Sequence, residues 1–399
     1  MKKLFAIGCI GLLLFEISNV FFIMPMPGSQ QLNTLSLAYF LHSFRWYFRL
    51  FFTIFIATGL IKTKWDNKLK FLLPILILTS FIYVINFIMA ADAMFKQPHR
   101  IQLVDVKNNK VDLNRLVIGV VESGKARAYP IQFLGYHHFI YDDINGKDIL
   151  VTYCTVCRTG RVYSPIIDEK KEQFRLVGMD HFNAMLEDAS TKSWWQQATG
   201  EAVAGPAKGK QLPELYSTQT SLRDWIKIHP TTLILQGNPE FKDDYDTSMN
   251  YESGKSRKSL TGSNPHSGAN KSWVVGIKRN GKAKFIDWNE LKRKRIVQIK
   301  LDNTQVFVVL SKDNKSFFAY ENPFESDPKL MNETIILDPN PSKTENCIRI
   351  NSNSTEPRKK EMTTLTYEFS GKGINNSQNL KPVIAYQEFL HSWKHFSQH

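Results

Sequence analysis

Two cysteines three positions apart, Cys154 and Cys157, stand in the stretch ILVTYCTVCRTGRVYSP, directly after an apolar β-branched run. Such a pair supports three chemistries. One thiolate can attack a partner's disulfide while the other resolves it. A tight turn can aim both sulfurs at one metal ion. In an oxidising compartment the two can also form an inert bridge. The loop that such a bridge closes is so short that it gains little chain entropy, which favours a chemically active pair. The basic neighbours Arg158 and Arg161 favour a thiolate electrostatically and offer contacts to a substrate. A metal knuckle needs four ligands, and Cys9 lies in an apolar segment while Cys347 stands alone. Histidines must then complete it, with His137 and His181 as candidates beside Cys154 and Cys157, and soft thiolates select Zn²⁺ or Cu⁺. In thiol exchange His137 is instead the proton acceptor, titrating near neutrality.

What positions these residues is read from a second stretch of the chain. Residues Val117, Gly119, Gly124, Lys125, Ala126, Leu134, Val151 and Tyr163 fall on Val274, Gly276, Gly281, Lys282, Ala283, Leu291, Val308 and Tyr320 at one constant offset. Gln219, Leu222 and Trp225 match Gln387, Leu390 and Trp393 at a slightly larger one. Two related repeats are therefore expected, within residues 92–240 and 269–399, joined by a polar linker over 241–268. Ser123-Gly124 and Asn280-Gly281 supply tight turns between short β-rich runs, and Asp287 is a suitable N-cap for a short helix. In the second repeat the cysteine region reads as strand, Lys-Asp-Asn-Lys turn, strand, so Cys154 and Cys157 are expected on a hairpin turn. Ser311 and Asn314 take their places there. A hairpin lacks the helix N-terminus that lowers a thiol pKa in thioredoxin-type sites, so any redox chemistry uses another scaffold.

At these residues the chain resembles an uncharacterised, mainly bacterial family known as domain of unknown function 3179. Thr152-Tyr153-Cys154-Thr155-Val156-Cys157-Arg158-Thr159 is similar to its TYCPLCGT box, with Thr155 for Pro and Arg158 for Gly. Gly124 to Pro130 and Tyr136 to Asp142 resemble two upstream motifs, and Trp225, His229 and Pro230 a downstream one. The resemblance covers about residues 112–235 and implies Cys154, Cys157 and His137 as the core of the site, with Asn183, Trp195 and Gln197 as walls.

The rest of the chain places this region. Leu4–Met24, Leu37–Ile61 and Phe71–Ala91 are apolar stretches each long enough to span a bilayer, so three transmembrane helices are expected. Lys2 and Lys3 precede the first, and Lys62, Lys64, Lys68 and Lys70 separate the second from the third. The positive-inside rule then puts the N-terminus in the cytoplasm of a bacterial inner membrane and everything after about residue 91 outside it. Glu16 and Arg49 both fall about 18 Å from the cytoplasmic face, close enough in depth to pair, and Arg45 is a further charge in the apolar segment.

The net charge is +14, part of it topogenic, and no basic block interleaved with aromatics exists, which excludes a nucleic-acid partner. There is no Walker loop, dinucleotide fingerprint, zincin motif or nucleophile elbow. The expected class is α+β with mostly antiparallel sheets behind a three-helix anchor. The expected activity is thiol–disulfide exchange with a protein or small-molecule partner. The alternative is a non-enzymatic module holding zinc or copper, or a structural disulfide.

Overall fold

A computed structural model describes residues 1–323, 330–339, 346–354, 362–374 and 378–397. The class is mixed α+β, with sheets that are antiparallel except for one strand pair. The chain divides into two compact units, and neither is a single stretch of sequence. Residues 1–97 and 165–213 form one, and residues 98–164 and 214–399 form the other.

In the first unit, the helix Lys2–Phe21 and the helical run Leu69–Ile88 are each long and apolar enough to cross a membrane. The second apolar stretch does not form the single span expected of it. It breaks into Leu35–Ser43 and Arg45–Ile61, bent by 60°. The polar run His42-Ser43 and the charged Arg45 fall at the break, and the Arg45 guanidinium donates to the carbonyl of His42, a backbone group left over where one helix ends. Continuous helices thus supply two candidate spans rather than three, and the bent pair is either a broken span or a re-entrant loop. Helix contact is close where side chains are smallest: a Cβ on Gly59 would lie 2.5 Å from the backbone of Phe5. Glu16 is fully buried and accepts from Arg49 Nε at 2.7 Å and Nη2 at 3.0 Å, while Asn86 joins both partners. A buried charge without such partners would be far costlier than this network.

Residues 165–213 add a four-stranded antiparallel sheet to this unit, in the order Ala202–Ala204, Trp194–Gln196, Asn183–Asp188, Phe174–Asp180. Its last strand takes up the end of the first helix, Met179 N donating to Ile23 O at 2.8 Å. Gly178 permits that approach, because a Cβ there would lie 2.3 Å from the same oxygen.

The second unit begins with a five-stranded sheet, ordered Gln102–Val104, Leu233–Gln236, Lys125–Pro130, Leu116–Glu122, Thr218–Ser221. A short helix, Ile131–His137, leads into the sheet Phe139–Ile144, Lys147–Cys154, Thr159–Tyr163. Further along, Trp273–Arg279 pairs with Lys282–Asp287 and with Ala385–Phe389. Helix Trp288–Lys294 then precedes the sheet Ile296–Leu301, Thr304–Leu310, Phe317–Glu321. Asp287 caps that helix by accepting from Asn289 N and Glu290 N, and Ser221 caps Leu222–Ile228 by accepting from Asp224 N.

The turns form as their residues dictate. Ser123-Gly124 and Asn280-Gly281 have φ of +48° and +74° in both hairpins, the positive values that a two-residue turn matching strand twist requires. Behind the hairpins, apolar side chains of the alternating strands make the core, with Trp225 and Trp393 among its largest buried members.

Candidate thiol site

The strand Lys147–Cys154 is buried from Ile149 onward, and residues 155–158 turn it into Thr159–Tyr163. Cys154 is the last residue in register before the turn, opposite Thr159. The hairpin therefore presents Cys154 and Cys157 at its tip, as the sequence leads one to expect. The tip is not exposed. Cys154 is 1% and Cys157 0% accessible, whereas Thr155 between them is half-buried.

No disulfide joins the two. The structural disulfide is corrected by this arrangement: the sulfurs are not close enough to be bonded, and instead the Cys157 thiol hydrogen-bonds Cys154. Burial pushes the Cys157 thiol well above its ordinary pKa, and the neighbouring Cys154 and the Glu388 charge push the same way. A hydrogen bond from Ser392 opposes them. Cys157 is thus held as a thiol in a buried, low-dielectric setting.

Its walls come from the far end of the chain. Phe389 N donates to Cys157 O at 3.0 Å, and Thr159 Oγ1 lies 3.3 Å from both that oxygen and Ser392 Oγ. Lys271 Nζ donates to Val156 O at 2.8 Å and Leu260 O at 2.6 Å, and lies 4.5 Å from the centre of the Phe389 ring. Burial lowers the Lys271 pKa, while the two thiols act on it in the opposite direction, which places the cation within electrostatic reach of both sulfurs. His391 flanks the turn from the same helix as Ser392, and burial together with Lys271 lowers its pKa to about 4.

The arginines beside the cysteines are locks rather than open arms. Arg158 adopts φ +57°, a left-handed conformation that costs a non-glycine residue about 1–2 kcal/mol. Arg158 offsets the strain by stacking on Trp273 at 3.7 Å, donating to Gln387 Oε1 at 3.0 Å, and donating to the carbonyl of Tyr251. Arg161, 1% exposed, pairs with Glu388, lies 3.7 Å from Glu214, and sits 3.3 Å from the centre of the Tyr386 ring. Two buried polar atoms near the turn, Arg158 Nη2 and Tyr153 Oη, have no hydrogen-bond partner among the described residues.

The other expected residues have partners of their own. His137 is buried with Nε2 2.9 Å from Tyr245 Oη, in an aromatic box with Tyr136 and Phe241. His181 belongs to the other unit, where it bonds Asp180 at 2.9 Å and Asn33 at 3.0 Å. Asn183, Trp195 and Gln197 belong to that unit too. Asn183 donates to Gln197 Oε1 at 2.9 Å, and Trp195 is a core aromatic whose Nε1 donates to Asp188 at 2.8 Å. Among the described residues, no cluster of three His, Cys, Asp or Glu ligand atoms includes Cys154 or Cys157.

Sequence reasoning missed Lys271, Glu388, Phe389, His391 and Ser392. A signal existed: the segment Gln387 to Trp393 was flagged by its match to Gln219 to Trp225, but nothing local tied it to the cysteines.

No curated protein and no solved structure matches the chain. A family model does match, and it takes in both the hairpin and the distant residues that enclose it. The chain belongs to the family described as "Protein of unknown function (DUF3179)", which matches residues 96–399.

Proposed function

We propose that this is a membrane-anchored, extracytoplasmic dithiol protein in which Cys154 and Cys157 exchange electrons with a partner disulfide. The observation that carries the reading is two unbonded thiols in mutual hydrogen bond at a hairpin tip, with Lys271 in reach to stabilise a thiolate. In the exchange one thiolate attacks a partner sulfur, the partner S–S bond breaks, and the leaving thiolate takes up a proton. The second thiol then loses its proton and attacks the mixed disulfide. A Cys154–Cys157 bond forms, the partner leaves as a dithiol, and two electrons have passed to it.

The burial of both sulfurs means that the tip must first part from Phe389 and Ser392, so the cover over the turn acts as a gate. The orphaned Arg158 Nη2 and Tyr153 Oη support a polar guest beside the turn, since buried donors left unmet cost about 1–3 kcal/mol each.

We further read the two halves as diverged copies, of which the later has no thiols at its hairpin tip. Gly119 lies under Trp225 and Gly276 under Trp393, in both cases too close for a Cβ. His138 and Arg295 share φ of +65° and +66°, and their carbonyls accept from Tyr153 N and Leu310 N, both at 2.8 Å. Each tip also meets the other copy's helix start: Ser311 Oγ donates to Asp224 at 2.7 Å, as Thr159 meets Ser392. The outward placement of residues after 91 takes the bent pair as a broken third span, so that the lysines before the first helix and those before the last apolar helix share the cytoplasmic side.

The test is reaction of the full chain, in a Cys9→Ser, Cys347→Ser background, with 5,5′-dithiobis(2-nitrobenzoate). The reading expects two thionitrobenzoate ions released per chain and no adduct retained, because the second thiol displaces the first adduct. Cys154→Ser and Cys157→Ser should each hold one adduct. Two stable adducts on the parent chain would overturn resolution between the pair.

A further inference from the structure

In the first unit, a cavity of about 190 Å³ lies where the first helix ends, the bent segment turns, and the helical run Leu69–Ile88 gives way to Ala90–Asp92. Its walls are of two kinds. Val20, Ile23, Ile85 and Met89 are apolar and continue the two bilayer-length helices, while Asn19, His42, Arg45, Asn86, Arg175 and the carboxylate Asp92, which pairs with Arg175, are polar. At this size it holds a headgroup rather than a drug-sized molecule, which needs about 300–1,000 Å³.

The polar groups are not satisfied by one another. Asn19 is 4% exposed, and among the described residues its Oδ1 has no hydrogen-bond partner. Among the same residues His42 Nδ1 is likewise buried without a partner, although its Nε2 lies 3.4 Å from Glu187. Three arginines approach this end of the helices, and two are neutralised: Arg49 by Glu16, and Arg175 by Glu187 and Asp92. Among the described residues Arg45 bonds no carboxylate, only the carbonyl of His42. The site therefore offers one cation with no carboxylate bonded to it, although Glu187 acts on it from a distance, together with one acceptor and one imidazole nitrogen, next to an apolar lead-in. Asn86 on the same wall sits in a π-helical turn, Val84–Ile88, a distortion that recurs at functional sites.

We propose that this cavity binds the headgroup of a phospholipid that carries both a phosphate and an N–H or O–H donor. The phosphate pairs with Arg45, the donor meets Asn19 Oδ1, and the glycerol and acyl chains leave along Val20, Ile23 and Met89. This chemistry favours an ethanolamine or glycerol headgroup over choline, whose ammonium has no N–H. The inference is independent of the dithiol reading.

Native mass spectrometry of the full chain in detergent tests it, with dioleoylphosphatidylethanolamine, dioleoylphosphatidylcholine and inorganic phosphate as probes. The expected result is one ethanolamine lipid per chain, bound about tenfold or more tightly than the choline lipid, the ratio that a charge-assisted hydrogen-bond set supports. Inorganic phosphate at the same concentration should not displace it. Arg45→Gln should lose the adduct, Arg45→Lys should keep much of it, and Asn19→Leu should erase the preference for ethanolamine. Lys64→Gln, a charge outside the cavity, should change nothing. Equal binding of the two lipids by the parent chain would overturn the proposal without recourse to any variant. So would tighter binding of inorganic phosphate, retention of the lipid by Arg45→Gln, or the absence of any adduct.

Discussion

Removing the Glu388 carboxylate should weaken the fold and waken the thiols at once. Arg161 comes from the cysteine hairpin and Glu388 from the strand Ala385–Phe389, and the two side chains are 2% and 0% exposed. Breaking a buried pair from one side strands the remaining charge and costs about 3–5 kcal/mol. Arg161 keeps some company from Glu214 at 3.7 Å and from the Tyr386 ring, so the lower end, about 3 kcal/mol, applies. At about 2–4 °C per kcal/mol for a unit of this size, Glu388→Gln should lower the melting temperature by roughly 6–12 °C.

The Glu388 charge also helps to hold the Cys157 pKa high, so its loss shifts that pKa down and speeds alkylation at neutral pH. Thermal unfolding of the full chain followed by tryptophan fluorescence gives the first readout, and iodoacetamide kinetics below the melting range gives the second. Replacing both partners, Arg161→Met with Glu388→Leu, should restore most of the stability, since a packed apolar pair is often neutral or better than the ion pair it replaces. A melting shift under about 2 °C for Glu388→Gln would refute the reasoning, because that is less than 1 kcal/mol for such a unit. Unchanged alkylation would refute the electrostatic half.

Three further outcomes follow from the geometry. Gly119→Ala and Gly276→Ala place a Cβ 2.2 Å from the Trp225 ring and 2.0 Å from the Trp393 ring, so urea unfolding should show each losing about 1–3 kcal/mol. Alkylation of Cys157 should be slow at pH 7 and rise as pH passes beyond the ordinary thiol range, and Lys271→Met should slow it further by removing the nearby cation. His138 is buried and its pKa is pushed down to about 4 from 6.5, so the unfolded chain binds its proton first. Its stabilisation is complete above about pH 6.5 and lost as pH falls toward 4, about 3 kcal/mol in all. His138→Asn tolerates the φ of +65° there and should flatten the acid limb of a stability–pH curve between those values.

How much of this was legible depends on how local its cause is. Asn280-Gly281 and Ser123-Gly124 announce their turns because positive φ is a property of the residues themselves, and Asp287 announces a helix for the same reason. The hairpin carrying Cys154 and Cys157 was legible too, from the strand–turn–strand pattern of the later stretch. The broken second apolar segment was not: hydropathy averages over His42 and Arg45, whereas the 60° bend depends on where their side chains find partners. Nor was the enclosure of the thiols, since Phe389 reaches Cys157 across more than two hundred residues and only the folded chain brings them together. The contact of His137 with Tyr245 was not legible either, because nearness in sequence says nothing of where a ring nitrogen finds its partner.

The account rests on Cys154 and Cys157 acting as one two-electron couple, and a redox titration of the full chain reads this directly. Protein equilibrated across a series of thiol–disulfide buffers, with and without added Zn²⁺, is quenched by acid, alkylated and scored by mass spectrometry for the peptide carrying both cysteines. The account predicts a single transition from two alkylated thiols to an internal disulfide, fitting two electrons and unmoved by zinc. A pair that stays reduced throughout, or one that zinc protects stoichiometrically from oxidation, would contradict it.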